Sequence, residues 1–242
     1  MGFFYYYSTS RLVVDGLGAH MYDLAVLGHV QRLLAQPYTV PQGVGPNVAP
    51  PFFVFALAPL SALPYTLSYF LWLGADCLLA AIALFHVERY SDLSKVQALL
   101  FRGTAVLSLP LLVALLQGQQ SIALFSICTA CFVWLRDGKR ARAGAVLALM
   151  LVKPHYLPAI LLVLGLRRCW RALGGFVGAS ATLVIAPLPF TGFAVIGDYL
   201  HTILRAGQWR DLRQSPASRI VGLRLKLRGI ARRGVSRLDD LR

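Results

Sequence analysis

Residues 136–171 decide the fold, and they read RDGKRARAGAVLALMLVKPHYLPAILLVLGLRRCWR. Arginines and lysines stand at both ends, and two short apolar arms, 143–152 and 157–166, flank a Lys-Pro-His turn. An arm of this length is about 15 Å long as a helix, half of the ~30 Å hydrocarbon core of a membrane. Because Lys and Arg gather on the cytosolic side, both ends are expected there, so the segment should enter the membrane and return.

The expected reversal places a cation at membrane depth. Pro154 has no N–H and disfavours helix at the residue before it, so the turn should fall at Lys153. Non-helical backbone inside a membrane is tolerated only against protein or a wet cavity, and a charged side chain there is a functional candidate. We therefore predict a polar cavity, open to the far side of the membrane, with Lys153 at its floor.

The composition is that of an integral membrane protein. With 57% hydrophobic residues, 14% charged residues and a mean hydropathy of +0.62, the chain is too apolar for an ordinary soluble domain. The net charge of +14 lies in short loops and the C-terminal tail. This placement indicates topology signals and anionic membrane lipids as partners, and no nucleic acid. The sequence predicts an all-α, polytopic helical bundle of the plasma membrane, with no cofactor and no metal.

Spanning helices are predicted at 65–87, 95–116 and 122–135, with a further outward crossing at 172–186. The Gln-rich turn between the second and third spans should face outward, in the same compartment as Lys153. The first span carries one charge, Asp76, which we expect to pair with a hydroxyl or amide of a neighbouring helix rather than to act in catalysis.

Three regions are predicted along the chain. Residues 1–48 form an extracytoplasmic amphipathic lobe of two short helices and a Pro/Gly-rich loop. Residues 49–218 form the membrane bundle with an outer loop, and begin with a short apolar segment at 50–60. Residues 219–242 are basic, and two interpretations stay open for them: an amphipathic membrane anchor, or a non-native tail.

Several pieces, in this order among the apolar arms, resemble glycosyltransferase family 87, the DUF2029 group of the GT-C superfamily. They are the aromatic run Phe3–Arg11 before Leu12 and Tyr22-Asp23, Asn47 with Pro50-Pro51-Phe52, Gly118-Gln119, Lys153-Pro154, and Arg167-Arg168 to Trp170-Arg171. The resemblance implies a GT-C-like membrane bundle that transfers a hexose, typically mannose. The implied donor is a polyprenyl-phosphate sugar, the implied acceptor is a glycolipid or glycan, and the reaction takes place at the extracytoplasmic face.

Two departures from the family pattern concern the ends of the chain. The family carries an Asp, its presumed catalytic base, just before the aromatic run and after a first spanning helix. Gly2 stands in that place here, with Met1 alone before it. We expect a chain truncated at both ends, with its catalytic residue unknown. Whether it acts as an enzyme therefore stays open at this point.

Lys153 and His155 are the candidates for the donor phosphate. An ammonium group in a dry cavity gains most from pairing with the phosphate, which is the leaving group. The alternative for Lys153 is a side chain that extends to the headgroups along its apolar stem. His155 supplies a hydrogen bond or proton in one interpretation, and is a water-exposed turn residue in the other.

The Gln-rich turn offers groups for sugar hydroxyls. Gln117 and Gln119 carry amide donors and acceptors on either side of Gly118. The alternative is a polar turn that solvates the helix ends.

Four residues of the first region complete the predicted sugar and acceptor site: Tyr6, Tyr7, Arg11 and Asn47. Aromatic rings suit sugar faces and polyprenyl chains, although tyrosines of an interfacial belt have the same pattern. Asn47 also fits a residue that shapes the loop before Pro50.

Two other function classes are consistent with this sequence. A transporter or lipid-handling protein shares broken helices and a charge at membrane depth. A non-catalytic remnant of a glycosyltransferase would explain Gly2 and the basic sequence that starts at Arg219.

Overall fold

A computed structural model describes residues 2–36, 46–91 and 93–206, and every regular element among them is helical. This confirms the all-α prediction. The tail at 219–242 and the loop residues 37–45 lie outside the described residues. In chain order the helices are α1 Gly2–Val14, α2 Leu24–Leu34, α3 Pro51–Ser61, α4 Tyr65–Arg89, α5 Lys95–Val106, α6 Leu109–Gln117, α7 Ser121–Arg136, α8 Arg140–Leu147, α9 Leu157–Leu166, α10 Trp170–Ile185, α11 Leu188–Thr191 and α12 Ala194–Ala206.

Two helices of the described part are long and apolar enough to cross a membrane, Tyr65–Arg89 and Trp170–Thr191. The first has 25 residues, which is about 37 Å at helical rise and exceeds a ~30 Å hydrocarbon core. By length and composition it confirms the predicted span at 65–87. The span predicted at 122–135 corresponds to α7, whose 16 residues reach about 24 Å and fall short of a full crossing.

The span predicted at 95–116 is broken in the structure. Helix α5 begins with a capping box between Ser94 and Gln97, and α6 begins after a 45° bend. The break falls where Pro110 occupies the first turn of α6. Because proline lacks an N–H and collides with the preceding turn, it cannot continue a helix from α5. Counted as one broken span, α5 and α6 bring the total in the described residues to three.

Helices α4 and α7 pack side by side in the same direction. Near their middles, the Ser126 hydroxyl donates to the Leu79 carbonyl at 3.2 Å. At their ends, the Tyr90 hydroxyl donates to the Asp137 carboxylate at 2.9 Å. The broken pair α5–α6 returns the chain between them.

The reversal predicted at Lys153 is confirmed. Helix α8 rises along α7 in the opposite direction, so that the sulfur atoms of Cys128 and Met150 lie 3.8 Å apart. After a 3₁₀ segment at Ala148–Val152, Lys153 leaves the helical region with φ −136° and ψ 77°. A second 3₁₀ turn at Pro154–Tyr156 then leads into α9.

The two arginine-rich ends of the reversing segment come together, as predicted. The first turns of α8 and α10 touch backbone to backbone, because Gly144 faces the Ala172 carbonyl and Gly175 faces the Ala141 carbonyl. Both contacts lie at one point, where α8 and α10 cross closely. Small residues at these four positions allow the two backbones to approach closely.

Helix α1 packs on α3. The Tyr7 hydroxyl donates to the Leu63 carbonyl at 2.7 Å, and Arg11 donates to the Ser61 carbonyl at 3.2 Å. Residues 1–199 form one compact unit, and the chain from residue 200 belongs to a second one, described as far as Ala206.

Candidate functional site

The Gln-rich turn between α6 and α7 is built on a left-handed glycine. Gly118 ends α6 with φ 59° and ψ 46°, a conformation in which glycine carries no Cβ penalty. The Gln119 amide donates to the Gln117 side-chain oxygen. Gln117 is exposed and Gln119 is half-buried, so the turn presents amide groups at the surface.

The start of α1 lies directly on this turn. A Cβ built at Gly2 would lie 3.1 Å from the Gln117 carbonyl oxygen and 3.3 Å from that of Gly118. A Cβ built at Gly118 would in turn lie 2.6 Å from the Cβ of Phe3. Gly2, where the resemblance implies an acid, and the Gly118-Gln119 turn therefore meet although they are far apart in sequence.

An aromatic cluster surrounds this contact. The Phe3 ring centroid is 5.5 Å from that of Trp72 and 5.9 Å from those of Tyr65 and Tyr69. The Tyr69 hydroxyl also donates to the Leu116 carbonyl at 3.0 Å, which joins α4 to the end of α6. Sequence reasoning missed the members on α4. The signal was present in the spacing of Tyr65 and Tyr69, which puts both rings on one helical face.

Of the predicted aromatic and basic residues on α1, two use their polar atoms inside the fold. The Tyr7 hydroxyl donates to the Leu63 carbonyl. Burial raises the pKa of Tyr7, and the neighbouring Arg11 guanidinium partly opposes this rise. Arg11 pairs with Asp15 at 3.1 Å in addition to its bond to Ser61. Both residues therefore use their polar groups to hold α1 in place, not to face a ligand.

Tyr6 packs edge-on against Phe53, with ring centroids 5.4 Å apart. Burial raises the pKa of Tyr6 to about 12. The ring thus contributes an apolar, neutral surface next to the aromatic cluster.

Asn47 is buried and holds a loop. Its side-chain oxygen accepts from the Ala49 N–H at 2.9 Å, the bond of an Asx turn. The Ala49 carbonyl accepts from the Tyr22 hydroxyl at 2.7 Å. These contacts match the loop-shaping alternative for Asn47. Its amide nitrogen has no partner among the described residues.

Lys153 and His155 lie at the reversal between α8 and α9. Lys153 is half-exposed, and no ion pair joins it to an acid in the described part of the chain. His155 is exposed and lies against Tyr156, with ring centroids 4.2 Å apart. The reversal is thus accessible and carries an unneutralised ammonium group.

The predicted site residues fall into two groups. Tyr6 and Tyr7 belong to the packed cluster around Phe3 and Trp72, next to the Gln-rich turn. The residues flanking Lys153 pack instead in the core formed with α7 to α10, where Leu124 joins Met150 and Leu157. Helix α7 connects the groups, because it begins right after the Gln-rich turn and passes the reversal one turn later.

Asp76 is buried below the same turn. On its helical face it lies between Trp72, which contacts Gly118, and Ala80, which packs with Ala114 and Ile122. One of its carboxyl oxygens has no hydrogen-bond partner in the described ranges. The hydroxyl or amide partner expected for this oxygen is therefore not seen there.

Comparison with known families identifies the class of protein. The model of glycosyltransferase family 87 matches residues 48–237, well over half of the chain. Together with the apolar spanning helices, the match defines a membrane glycosyltransferase. The chain belongs to glycosyltransferase family 87. No curated protein and no solved structure matches it.

Proposed function

We propose that this protein transfers a hexose, mannose in the first instance, from a polyprenyl-phosphate donor to a glycolipid or glycan acceptor. The observation that carries the proposal is the contact of Gly2 and Phe3 with the Gln117-Gly118 turn. It joins an aromatic surface, suited to sugar faces, to exposed amides, suited to sugar hydroxyls.

In the proposed reaction, an acceptor hydroxyl oxygen bonds to C1 of the donor sugar while the bond from C1 to the phosphate oxygen breaks. Polyprenyl phosphate leaves with the bonding electrons, and the hydroxyl proton passes to a base. Gln117 and Gln119 hold the sugar through hydrogen bonds. No residue of this chain is assigned as the base, because Gly2 stands where the family carries an acid.

Lys153 and His155 are proposed to stabilise the departing phosphate. Negative charge grows on the phosphate as the bond to C1 breaks, so a fixed ammonium group lowers the energy of the transition state more than that of the bound donor. The structure supports this role by leaving Lys153 half-exposed and without an acid partner in the described residues.

The proposed location is the plasma membrane, with several crossings and with transfer at the extracytoplasmic face. The basic tail at 219–242 is proposed to be a native anchor on anionic lipid, because the family match continues through residue 237.

The test measures sugar transfer from radiolabelled polyprenyl-phosphate mannose in membranes that carry the full chain. Lys153→Ala should reduce transfer by at least tenfold, and Lys153→Arg should restore part of it because the charge is kept. Lys95→Ala is the matched control, since Lys95 is an exposed lysine at the start of α5. Equal loss in Lys153→Ala and Lys95→Ala would contradict the role of Lys153.

A second part of the experiment introduces the carboxylate that is missing at position 2. Gly2→Asp places an acid against the Gln-rich turn, at the position of the family's presumed base, and should increase transfer. If neither the chain itself nor Gly2→Asp transfers sugar, the proposed activity is wrong.

The break in the helix at Lys153 also favours a second candidate, a lipid-handling protein that moves a lipid-linked sugar without cleaving it. The same membranes distinguish the two. Movement of labelled donor between leaflets, with no labelled acceptor formed, would support this candidate.

A further inference from the structure

A cavity of about 490 Å³ lies between α4 and α7, at the end of these helices opposite the Gln-rich turn. Its deeper part is lined mostly by apolar side chains, among them Leu79, Ile82 and Ala130, and the Ser126 and Thr129 hydroxyls there donate to backbone carbonyls. Because these hydroxyls are already hydrogen-bonded, this part suits an acyl chain.

The mouth of the cavity is polar. It is lined by His86, Arg89, Tyr90 and Asp137, which follow the apolar positions by one or two turns. The Nδ1 atom of His86 is buried and has no hydrogen-bond partner among the described residues. The cavity thus changes from apolar to polar along the helix axis. A lipid shows the same change from its acyl tail to its headgroup.

The two acids that the structure describes near the mouth are already paired. Asp137 accepts from Tyr90 at 2.9 Å and from Lys139 at 3.2 Å. These two hydrogen bonds lower the pKa of Asp137, which therefore stays ionised and paired. The second of these described acids, Glu88, accepts from Arg102 at 2.7 Å.

Two arginines at or beside the mouth form no salt bridge among the described residues. Arg89 lines the cavity, and its charge contributes to the lowered pKa of Asp137 without a direct ion pair. The Arg136 guanidinium lies 5.3 Å from the centre of the Tyr90 ring and donates to the Tyr90 carbonyl at 3.2 Å. Among the described residues, the mouth therefore has an excess of positive charge beside an imidazole nitrogen without a hydrogen-bond partner.

We propose that this cavity binds one anionic phospholipid from the leaflet next to the α7–α8 loop. The lipid phosphate is held by Arg89 and His86, and one acyl chain lies along Leu79, Ile82 and Ala130. This inference is independent of the proposed sugar transfer, because it concerns the opposite end of α4 and α7.

The test is native mass spectrometry of the full chain released from detergent with added lipid. We expect phosphatidylglycerol to bind and phosphatidylcholine to bind at least fivefold less. Arg89→Gln should lower phosphatidylglycerol occupancy about fivefold, the effect of about one surface charge on an anionic lipid. Arg32→Gln, which removes an exposed arginine from α2, should leave occupancy unchanged.

A steric variant tests the acyl-chain part of the cavity. Ala130→Leu fills space beside Ile82 while keeping all charges, and should also reduce phosphatidylglycerol occupancy. Circular dichroism of each variant establishes that its helices are intact. Inorganic phosphate in excess should fail to displace the lipid, because it lacks the acyl chain.

Three outcomes would overturn the proposal. They are equal binding of the two lipids, an unchanged occupancy in both Arg89→Gln and Ala130→Leu, and displacement of the lipid by inorganic phosphate. The last would show a simple anion site at the arginines. Sugar-transfer activity is not part of this readout, so its absence would leave the lipid result intact.

Discussion

Gly118 and Phe3 are in close contact: a Cβ added to Gly118 would lie only 2.6 Å from the Phe3 Cβ. No side chain longer than hydrogen fits at Gly118 unless the first turn of α1 moves away. The turn that carries the sugar-binding amides and the start of α1 are therefore coupled by one glycine.

Gly118→Ala should destabilise the protein by about 2–4 kcal/mol. Roughly 1 kcal/mol is expected from forcing a Cβ into the left-handed region, and roughly 1–3 kcal/mol from displacing Phe3. Gly138→Ala is the control, since Gly138 has φ 73° and open space around it, and should cost about 1 kcal/mol. Thermal unfolding of the detergent-purified proteins measures both. Equal losses in the two variants would show that the Phe3 contact contributes nothing.

Gly144→Ala should separate α8 from α10. The added Cβ would meet the Ala172 carbonyl group, which is backbone and cannot rotate away. We expect a loss of about 3 kcal/mol in the free energy of unfolding, within the range of strongly overpacked sites.

The matched control for that variant is Gly178→Ala, two turns into α10, where nothing lies within 4 Å. It should be neutral or stabilise the helix by about 1 kcal/mol, because alanine is the better helix former. Chemical denaturation in mild detergent distinguishes the two variants. A stable Gly144→Ala protein would mean that the α8–α10 contact is looser than described.

Tyr7→Phe should destabilise the contact of α1 with the end of α3. The variant removes the buried hydroxyl that donates to the Leu63 carbonyl at 2.7 Å, at a cost of about 1–2 kcal/mol. Tyr65→Phe removes a hydroxyl that makes no hydrogen bond in the described structure, so it should change stability by less than about 0.5 kcal/mol. Thermal unfolding checks the pair, and the reverse order of effects would contradict this assignment.

Alkaline pH should weaken the fold through Tyr6. Its pKa is raised from 10.0 to about 12 in the folded protein, so the unfolded chain releases this proton first as the pH rises. The stabilisation is complete below pH ~10 and is lost as the pH rises towards ~12, by roughly 2 kcal/mol or a little more. Tyr6→Phe should flatten this part of the stability profile. Tyrosinate absorbance that titrates fully near pH ~10 in the folded protein would rule the explanation out.

The break at Lys153 was predictable because two strong local signals agree there. Pro154 cannot continue a helix, and the apolar arms on either side are each too short to cross a membrane. The spanning helix Tyr65–Arg89 was equally predictable, because an uninterrupted apolar run of that length fits few structures other than a membrane span.

The close crossing of α8 and α10 was not predictable in the same way. Ala141, Gly144, Ala172 and Gly175 permit close approach, but small residues alone do not identify the helix that they approach. The packing of Gly2 and Phe3 on the Gln-rich turn depends on contacts distant in sequence, which periodicity does not report. Of the candidate site, the sequence therefore predicted the residues near the turn and not the aromatic members of α4 that hold them.

Asp76 has a consequence for the order in which the molecule is assembled. A carboxyl group in the middle of a nascent segment opposes its partition into lipid by about 3 kcal/mol, which the other apolar residues of a 25-residue helix outweigh. On the same face, Trp72 packs near Gly118 and Ala80 packs with Ile122, and both of these partners are synthesised after α4. Until they arrive, the face of α4 that carries Asp76 lacks the contacts that α6 and α7 later make with it. Biogenesis of this protein thus favours an early association between α4 and the segment that follows the Gln-rich turn.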